Sequence, residues 1–304
     1  MAASAAVGNP QPPPEVTDLL NVRVDRYLGG RANHHWLVTA ERQRFVLRRY
    51  QPDPIGEIGY ELQVLQRLAN LGWPTPVAVA EPILAAGRTW CLFRWLPGIS
   101  PSGTDQSSQR DRGRLLAQLH HDLLALTDLG QRPGAGRAEE VLDDPLLTSQ
   151  LHAYEHLYPE QARILRWHRD RARETFAEIG HSDRSLMVVH GDFINQNLLY
   201  HNGVLTGIVD FESTHLNYRV SEFALAWRGR HDDVIRGYTE LAPLTEIDWA
   251  LLTPALWSWM FLGVAREIQK MTTGTIPPHR LEWQTTMMLR RSPLMGRHAV
   301  PYPA

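Results

Sequence analysis

His190-Gly191-Asp192-Phe193-Ile194-Asn195-Gln196-Asn197-Leu198-Leu199-Tyr200, then His201-Asn202-Gly203, then Val204-Leu205-Thr206-Gly207-Ile208-Val209-Asp210-Phe211-Glu212, is the richest stretch of chemistry in the chain. Asn202-Gly203 between two apolar runs is a strong hairpin signal, because both residues accept positive φ in a tight turn. If the two arms pair around that turn, Asn197 and Asp210 come near each other at the open end. Asp192 enters the same place from the loop before the first arm. One amide and two carboxylates then converge beyond a rigid hairpin. Hard oxygen donors without a thiolate suit Mg2+, which keeps waters and also binds phosphate oxygens. Asp192 is placed to accept a proton or orient a hydroxyl. The bland alternative is that Asp192 and Asp210 only cap turns.

Ahead of this stretch, the chain from 22 to 97 alternates short apolar runs with turns. Segments 36–39, 44–48 and 89–95 read as strands. Between the second and third, Ile58, Leu62, Leu65 and Leu68 step by helical spacing and predict a helix over 57–71. Pro97-Gly98 ends this region, and helical patterns follow at 111–126 and 144–179 and resume after 219. Residues 1–14 are rich in Ala and Pro and read as a flexible tail, which leaves 15–97 and 98–304 as the two expected domains. The longest apolar stretch, 249–265, is interrupted by Thr253, Pro254 and Ser258 and reads as a buried helix.

Composition excludes several classes. The chain has 304 residues, 31 basic and 33 acidic side chains, and one cysteine. Near-neutral charge makes no case for nucleic acid. A single cysteine forms neither an internal disulfide nor a thiolate metal centre, and no signal peptide is visible, so a cytoplasmic protein without a membrane partner is expected. Lys270 is the sole lysine, so arginine supplies almost every basic position.

His190-x-Asp192-x-x-x-x-Asn197 followed by Ile208-Val209-Asp210-Phe211 resembles the aminoglycoside phosphotransferase and choline kinase superfamily, relatives of the protein kinases. The resemblance spans roughly 28–270. It implies an α+β, protein-kinase-like two-lobed fold, with an antiparallel-sheet N-lobe carrying one helix and a mostly helical C-lobe. It assigns Asp192 as catalytic base, Asn197 and Asp210 as Mg2+ ligands, and ATP or GTP as phosphate donor. Such folds place a positive strand residue, paired with a helix glutamate, on the α- and β-phosphates. Alternation puts Val46 and Arg48 on one face, so Arg48, where relatives usually have lysine, and Glu61 take those roles, with Arg48 expected to be partly exposed. Gly30 and Asn33, within Gly29-Gly30-Arg31-Ala32-Asn33, sit where the nucleotide-covering loop belongs. Leu92 to Gly98 resembles the hinge, with the backbone of Arg94 and Leu96 meeting a purine and Phe93 lining the rear.

Departures from the pattern carry information. Ile194 stands where protein kinases have lysine, and no Ala-Pro-Glu follows; both indicate a small-molecule kinase. Glu222-Phe223-Ala224 replaces the usual Asp-Leu-Ala and is expected to hold the catalytic loop. His190 is expected to pack behind that loop and Cys91 to be inert, while the His152 and His156 pair reads as a solvated face. Glu212, Asp232, Asp233 and Glu267 fall in segments expected to surround the acceptor and suit an amine-bearing sugar or antibiotic such as an aminoglycoside. A large apolar acceptor would instead use Trp257, Trp259 or Trp283. The other readings are a kinase of choline, homoserine or a thio-sugar, and a nucleotide-binding pseudokinase, which the replacement of lysine by Arg48 favours.

Overall fold

Alternation of apolar and polar residues builds the front of the chain as one antiparallel sheet. In the computed structural model, which describes residues 10–30, 32–52, 54, 56–180, 185–290, 294 and 302–303, a short helix α1 (Pro14–Leu19) leads into β1 (Arg23–Gly29), β2 (His34–Ala40) and β3 (Gln43–Arg49). Helix α2 (Ile58–Asn70) follows, then β4 (Ile83–Ala85) and β5 (Arg88–Arg94). The strand order is β1-β2-β3-β5-β4. Period-two alternation along β3 sends Leu47 into a core with Trp36, Val38, Trp90 and Leu92, while Val46 and Arg48 face the opposite side. Trp36 and Trp90 lie with ring centroids 5.6 Å apart.

Two expectations change here. The tail is not free up to residue 14: the Trp36 indole N–H donates to the Pro10 carbonyl at 2.7 Å, and Pro14 opens α1 at a position where proline loses no hydrogen bond. Residues 1–9, and Arg31 of the glycine loop, lie outside the described residues. In α2 the buried face is Glu61, Val64, Leu65 and Leu68, with Leu62 only half-buried. The helix is turned so that the carboxylate points inward.

After β5 the chain runs through α3 (Gln106–Leu123), α4 (Ala138–Asp143), α5 (Pro145–Glu155), α6 (Pro159–Glu178) and β6 (Leu186–Val189). It then forms the hairpin β7 (Leu198–His201) and β8 (Val204–Ile208), with Asn202 at φ +50° and Gly203 at +77° in the turn. Strand β9 (His215–Tyr218) pairs with β6, and α7 (Phe223–Ala226), α8 (Asp232–Leu241), α9 (Glu246–Thr272) and α10 (Glu282–Leu289) complete the chain.

The chain divides into two compact units, Met1–Pro101 with Gln196–Glu212, and Ser102–Asn195 with Ser213–Ala304. The expected division at residue 98 is corrected by the hairpin, which belongs to the first unit. Ile99 bridges Tyr200, the Thr206 hydroxyl donates to the Pro97 carbonyl, and the Ile208 N–H reaches the Pro74 carbonyl at 2.9 Å.

The second unit is mostly helical. Its crossing of α3 on α8 is made close by two glycines. A Cβ at Gly113 would land on the Val234 carbonyl oxygen, and one at Gly237 on the Arg110 carbonyl oxygen. Helix α9 holds the 249–265 stretch; it is long and apolar enough by composition to cross a membrane, but 67% of that apolar window is buried within the protein. Among its tryptophans Trp257 is buried, and Trp283 on α10 is exposed.

Because both obstructing atoms at the crossing are backbone, Gly237→Ala forces the helices apart. It is expected to destabilise the protein by about 1–3 kcal/mol, read as a lower midpoint in urea with an unchanged slope. An unchanged midpoint would show that α8 is not held at this distance.

Candidate active site

The first unit encloses a cavity of about 600 Å³ beneath β1 and β3. Its polar floor centres on Arg48, which is 6% exposed, against the expectation of a partly exposed strand residue. Burial follows from the inward turn of α2: Arg48 Nη1 donates to Glu61 Oε1 at 2.7 Å, and the Tyr50 hydroxyl donates to Glu61 Oε2 at 3.1 Å. Arg48 Nη2 stands 3.4 Å from Asp210 Oδ1. Burial, the largest single influence, lowers the guanidinium pKa, but Glu61, Tyr50 and Asp210 together outweigh it and the net shift is upward. The guanidinium also lies 5.4 Å from the Tyr50 and Phe93 ring centroids.

A residue the sequence did not single out completes this network. His35 on β2 pairs with Arg48 on β3, and Arg48 Nε–H donates to His35 Nε2 at 2.9 Å. With Nε2 accepting, the proton sits on Nδ1, which faces the Gly29 carbonyl at 3.3 Å. Burial, and then the Arg48 charge, pushes the His35 pKa down to about 4. A neutral imidazole thus ties the glycine turn to Arg48. Cross-strand register was the available signal, but it required knowing which strands pair.

The hairpin's open end brings two further groups to the cavity. Asn197 is buried and Asp210 is partly exposed, and both line it. The Val209 N–H donates to the Asn197 carbonyl at 2.9 Å. Asp210 adopts φ +69°, which costs a non-glycine residue about 1–2 kcal/mol and aims its carboxylate inward. An amide oxygen and a carboxylate in this setting fit a hard divalent cation whose other ligands are waters and phosphate oxygens. Val46, Phe93, Leu199 and Val209 give the remaining wall an apolar surface suited to a flat base. Of the residues expected at the nucleotide, Gly30, Arg48, Glu61, Phe93, Arg94 and Leu96 line the cavity. Asn33 does not. It is buried, accepts the Gln51 N–H at 2.9 Å, and donates to the Glu212 carboxylate.

Asp192 belongs to the second unit, on a loop pinned by a buried carboxylate. Glu222 Oε2 accepts the His190 N–H at 2.6 Å, and its Oε1 accepts the N–H groups of Gly191 at 3.1 Å and Phe193 at 3.3 Å. The Asp192 N–H donates to Nδ1 of the fully buried His190 at 3.1 Å. Glu222 therefore holds the loop and His190 packs behind Asp192. Cys91 is buried, and burial followed by the Glu61 charge pushes its thiol up to about 12.

The four carboxylates expected around an acceptor have other partners. Asp233 takes Arg110 at 3.1 Å and Arg236 at 3.3 Å, Glu267 takes Lys270 at 3.0 Å, Asp232 accepts the Trp227 indole N–H at 2.7 Å, and Glu212 accepts from Asn33. His152 and His156 sit with ring centroids 5.1 Å apart, and among the described residues no group of three His, Cys, Asp or Glu side chains is arranged to hold a metal.

Comparison with known proteins bears on the family and the fold. Residues 23–252 match the model of the phosphotransferase enzyme family. A homoserine kinase of Phenylobacterium zucineum (strain HLK1) is 25% identical over 248 residues, 73% of this chain and 72% of that protein. A thermostable mutant of aminoglycoside phosphotransferase APH(4)-Ia, solved with ADP and hygromycin B, superposes with a TM-score of 0.64 at 13% identity, covering 90% of this chain and 95% of that one. A microcompartment-associated aminopropanol kinase gives 0.63 at 21% identity, covering 88% of each chain. The fold is protein-kinase-like.

Removing Arg48 leaves Glu61 buried without its cation. Arg48→Ala is expected to cost about 3–5 kcal/mol in urea unfolding and to weaken nucleotide binding. Arg48→Lys keeps the Glu61 pair but cannot also serve His35, and should recover most of the stability. Equal stability of wild type and Arg48→Ala would contradict the buried pair.

His35 supplies a pH test. Its folded pKa of about 4 lies below the ordinary 6.5, so the unfolded chain binds the extra proton first. Its contribution is complete above about pH 6.5 and is lost as pH falls toward 4. The stability gap between wild type and His35→Gln should therefore shrink from pH 7.5 to about pH 4. A gap independent of pH would mean that His35 is not held neutral.

Proposed function

The chain belongs to the phosphotransferase enzyme family, and on that premise we propose that it moves the γ-phosphoryl group of ATP or GTP to a hydroxyl of a small molecule. The observation that carries this reading is the cavity in which Arg48, Glu61, Asn197 and Asp210 face one another. Arg48, braced by Glu61, would hold the α- and β-phosphates, and Gly30 would cover them. The apolar wall at Phe93, with the backbone of Arg94 and Leu96, would take the purine. Asn197 and Asp210 would hold Mg2+, whose charge neutralises phosphate oxygens. Asp192 is the base. As the acceptor oxygen bonds to the γ-phosphorus, the bond to the β-phosphate oxygen breaks, the nucleoside diphosphate leaves, and the hydroxyl proton passes to the Asp192 carboxylate.

Two acceptor classes compete. An amine-bearing sugar would rely on Glu212, Asp232, Asp233 and Glu267, whose present partners would have to be exchanged. A hydroxy amino acid, as in the homoserine kinases that resemble this chain along most of its length, needs no such exchange. We favour the second. A cytoplasmic enzyme acting on nucleotide and small molecule, without nucleic acid or membrane, fits either.

Phosphate transfer from Mg-nucleotide to a panel of hydroxyl acceptors tests the reading. Asp192→Asn should retain nucleotide binding and lose turnover by a factor on the order of 10²–10⁴, whereas Asp210→Ala should lose Mg-dependent nucleotide binding more than Asn197→Ala, since a carboxylate gives the cation a charge and an amide only a dipole. Near-normal turnover by Asp192→Asn would remove the assignment of the base.

A further inference from the structure

The turn after α7 gathers positive charge around the catalytic loop of the second unit. Arg228 adopts φ +54° and Gly229 +62°. The turn is closed by the Arg228 N–H on the Phe223 carbonyl at 3.2 Å and the His231 N–H on the Trp227 carbonyl at 3.0 Å. A left-handed non-glycine residue is unfavourable by about 1–2 kcal/mol, and glycine would relieve it. Arginine stands there instead, with Nε fixed on the Leu225 carbonyl at 3.2 Å. Its two terminal nitrogens have no hydrogen-bond acceptor among the described residues.

Its surroundings place this arginine in a cluster of positive groups. Arg112, reaching from α3 beside the Gly113 crossing, is 7% exposed; its Nη2 donates to the Ala226 carbonyl at 2.9 Å, but its buried Nε has no partner. Burial, and then repulsion from Arg228, pushes the Arg112 guanidinium down to about 10. Burial, and then Arg230, Arg112, Arg228 and Arg290, pushes the His231 imidazole down to about 4, so this histidine is neutral among four guanidinium groups. The carboxylate acting on Arg228 is Asp192 itself: burial lowers the Arg228 pKa and the Asp192 charge partly restores it. The nearby carboxylates Asp232 and Asp233 are already engaged by Trp227 and by Arg110 and Arg236. A guanidinium excess with unused donors, one of them almost fully buried on Arg112, favours an anion that completes it.

We infer that the acceptor carries a carboxylate as well as its reacting hydroxyl, and that Arg228, backed by the buried Arg112, binds that carboxylate beside Asp192. The planar guanidinium fork matches a carboxylate. The same positive charge repels cationic amino sugars, so the pocket selects among the acceptors that the kinase reading allows, and the inference rests on that reading. It reverses the anionic acceptor site expected from the sequence.

The test measures phosphate transfer from Mg-ATP to L-homoserine and other hydroxy acids, to their amides, to amino alcohols and to an aminoglycoside, with thermal protection by Mg-ATP recorded in parallel. Transfer should be confined to carboxylate-bearing acceptors. Arg228→Gly, which removes the guanidinium and suits the left-handed backbone, should keep the melting temperature and nucleotide protection of the wild type. It should raise the acceptor KM about 10- to 100-fold with a smaller change in kcat, as expected for losing a charge-assisted hydrogen-bonded pair. Arg228→Lys should recover part of that loss. Transfer to amides or amino alcohols as efficient as to the acids, transfer to no carboxylate acceptor at all, or an unaltered KM in Arg228→Gly would each overturn the anion site. Loss of nucleotide protection in the wild type would overturn the kinase reading as well.

Discussion

A single buried carboxylate sets the geometry of the loop that carries Asp192. Glu222 is 1% exposed and has no guanidinium or ammonium partner at salt-bridge distance among the described residues; His120 Nε2 lies 3.7 Å from its Oε2. Such a charge is tolerable only if its lone pairs are filled, and the amides of His190, Gly191 and Phe193 fill them. Burial works against ionisation, yet the contacts from His120, His190 and the loop amides outweigh it, so the carboxyl pKa lies below its ordinary value. Asp192 hangs between two amides that cannot move without exposing this charge. His120 is in turn held by the Tyr238 hydroxyl at 3.0 Å, across the α3–α8 crossing that Gly113 and Gly237 make possible. Loop position and helix packing are therefore coupled.

In the first unit a comparable constraint fixes Arg48. An ammonium is a point charge on a flexible stem, whereas the guanidinium of Arg48 addresses three neighbours at once. Its Nε reaches His35, Nη1 reaches Glu61, and Nη2 faces Asp210. The histidine joins the glycine turn of β1 to this centre through the Gly29 carbonyl. The glycine turn, Arg48, Glu61 and Asp210 are thus parts of one hydrogen-bonded array, assembled by the antiparallel register of β2 and β3.

Local charge in the second unit is decided by pairing as much as by residue type. Asp233 and Glu267 count as acidic in the sequence, but Arg110, Arg236 and Lys270 neutralise them. Arg112 and Arg228 count as two arginines among many, but one lies almost fully buried with an unfilled donor and the other on a left-handed turn. A potential depends on which charges remain unpaired and dehydrated, which no composition reveals.

Features that depend on near neighbours were legible in the sequence. The Asn202-Gly203 turn dictates a hairpin because both residues accept positive φ, and the hairpin dictates that Asn197 and Asp210 share its open end. Alternation along β3 places Val46 and Arg48 together. Only the tertiary structure decided the rest: the rotation of α2 that buries Glu61, the cross-strand pairing of His35 with Arg48, the diversion of Asn33 and Glu212 into a mutual bond, the return of the hairpin to the first unit, and the gathering of Arg112 and Arg228. The physical reason is range. Turn preference and periodicity act over a few residues, whereas burial, charge pairing and close glycine contact join residues more than a hundred positions apart, as in Arg112 and Ala226 or Gly113 and Val234.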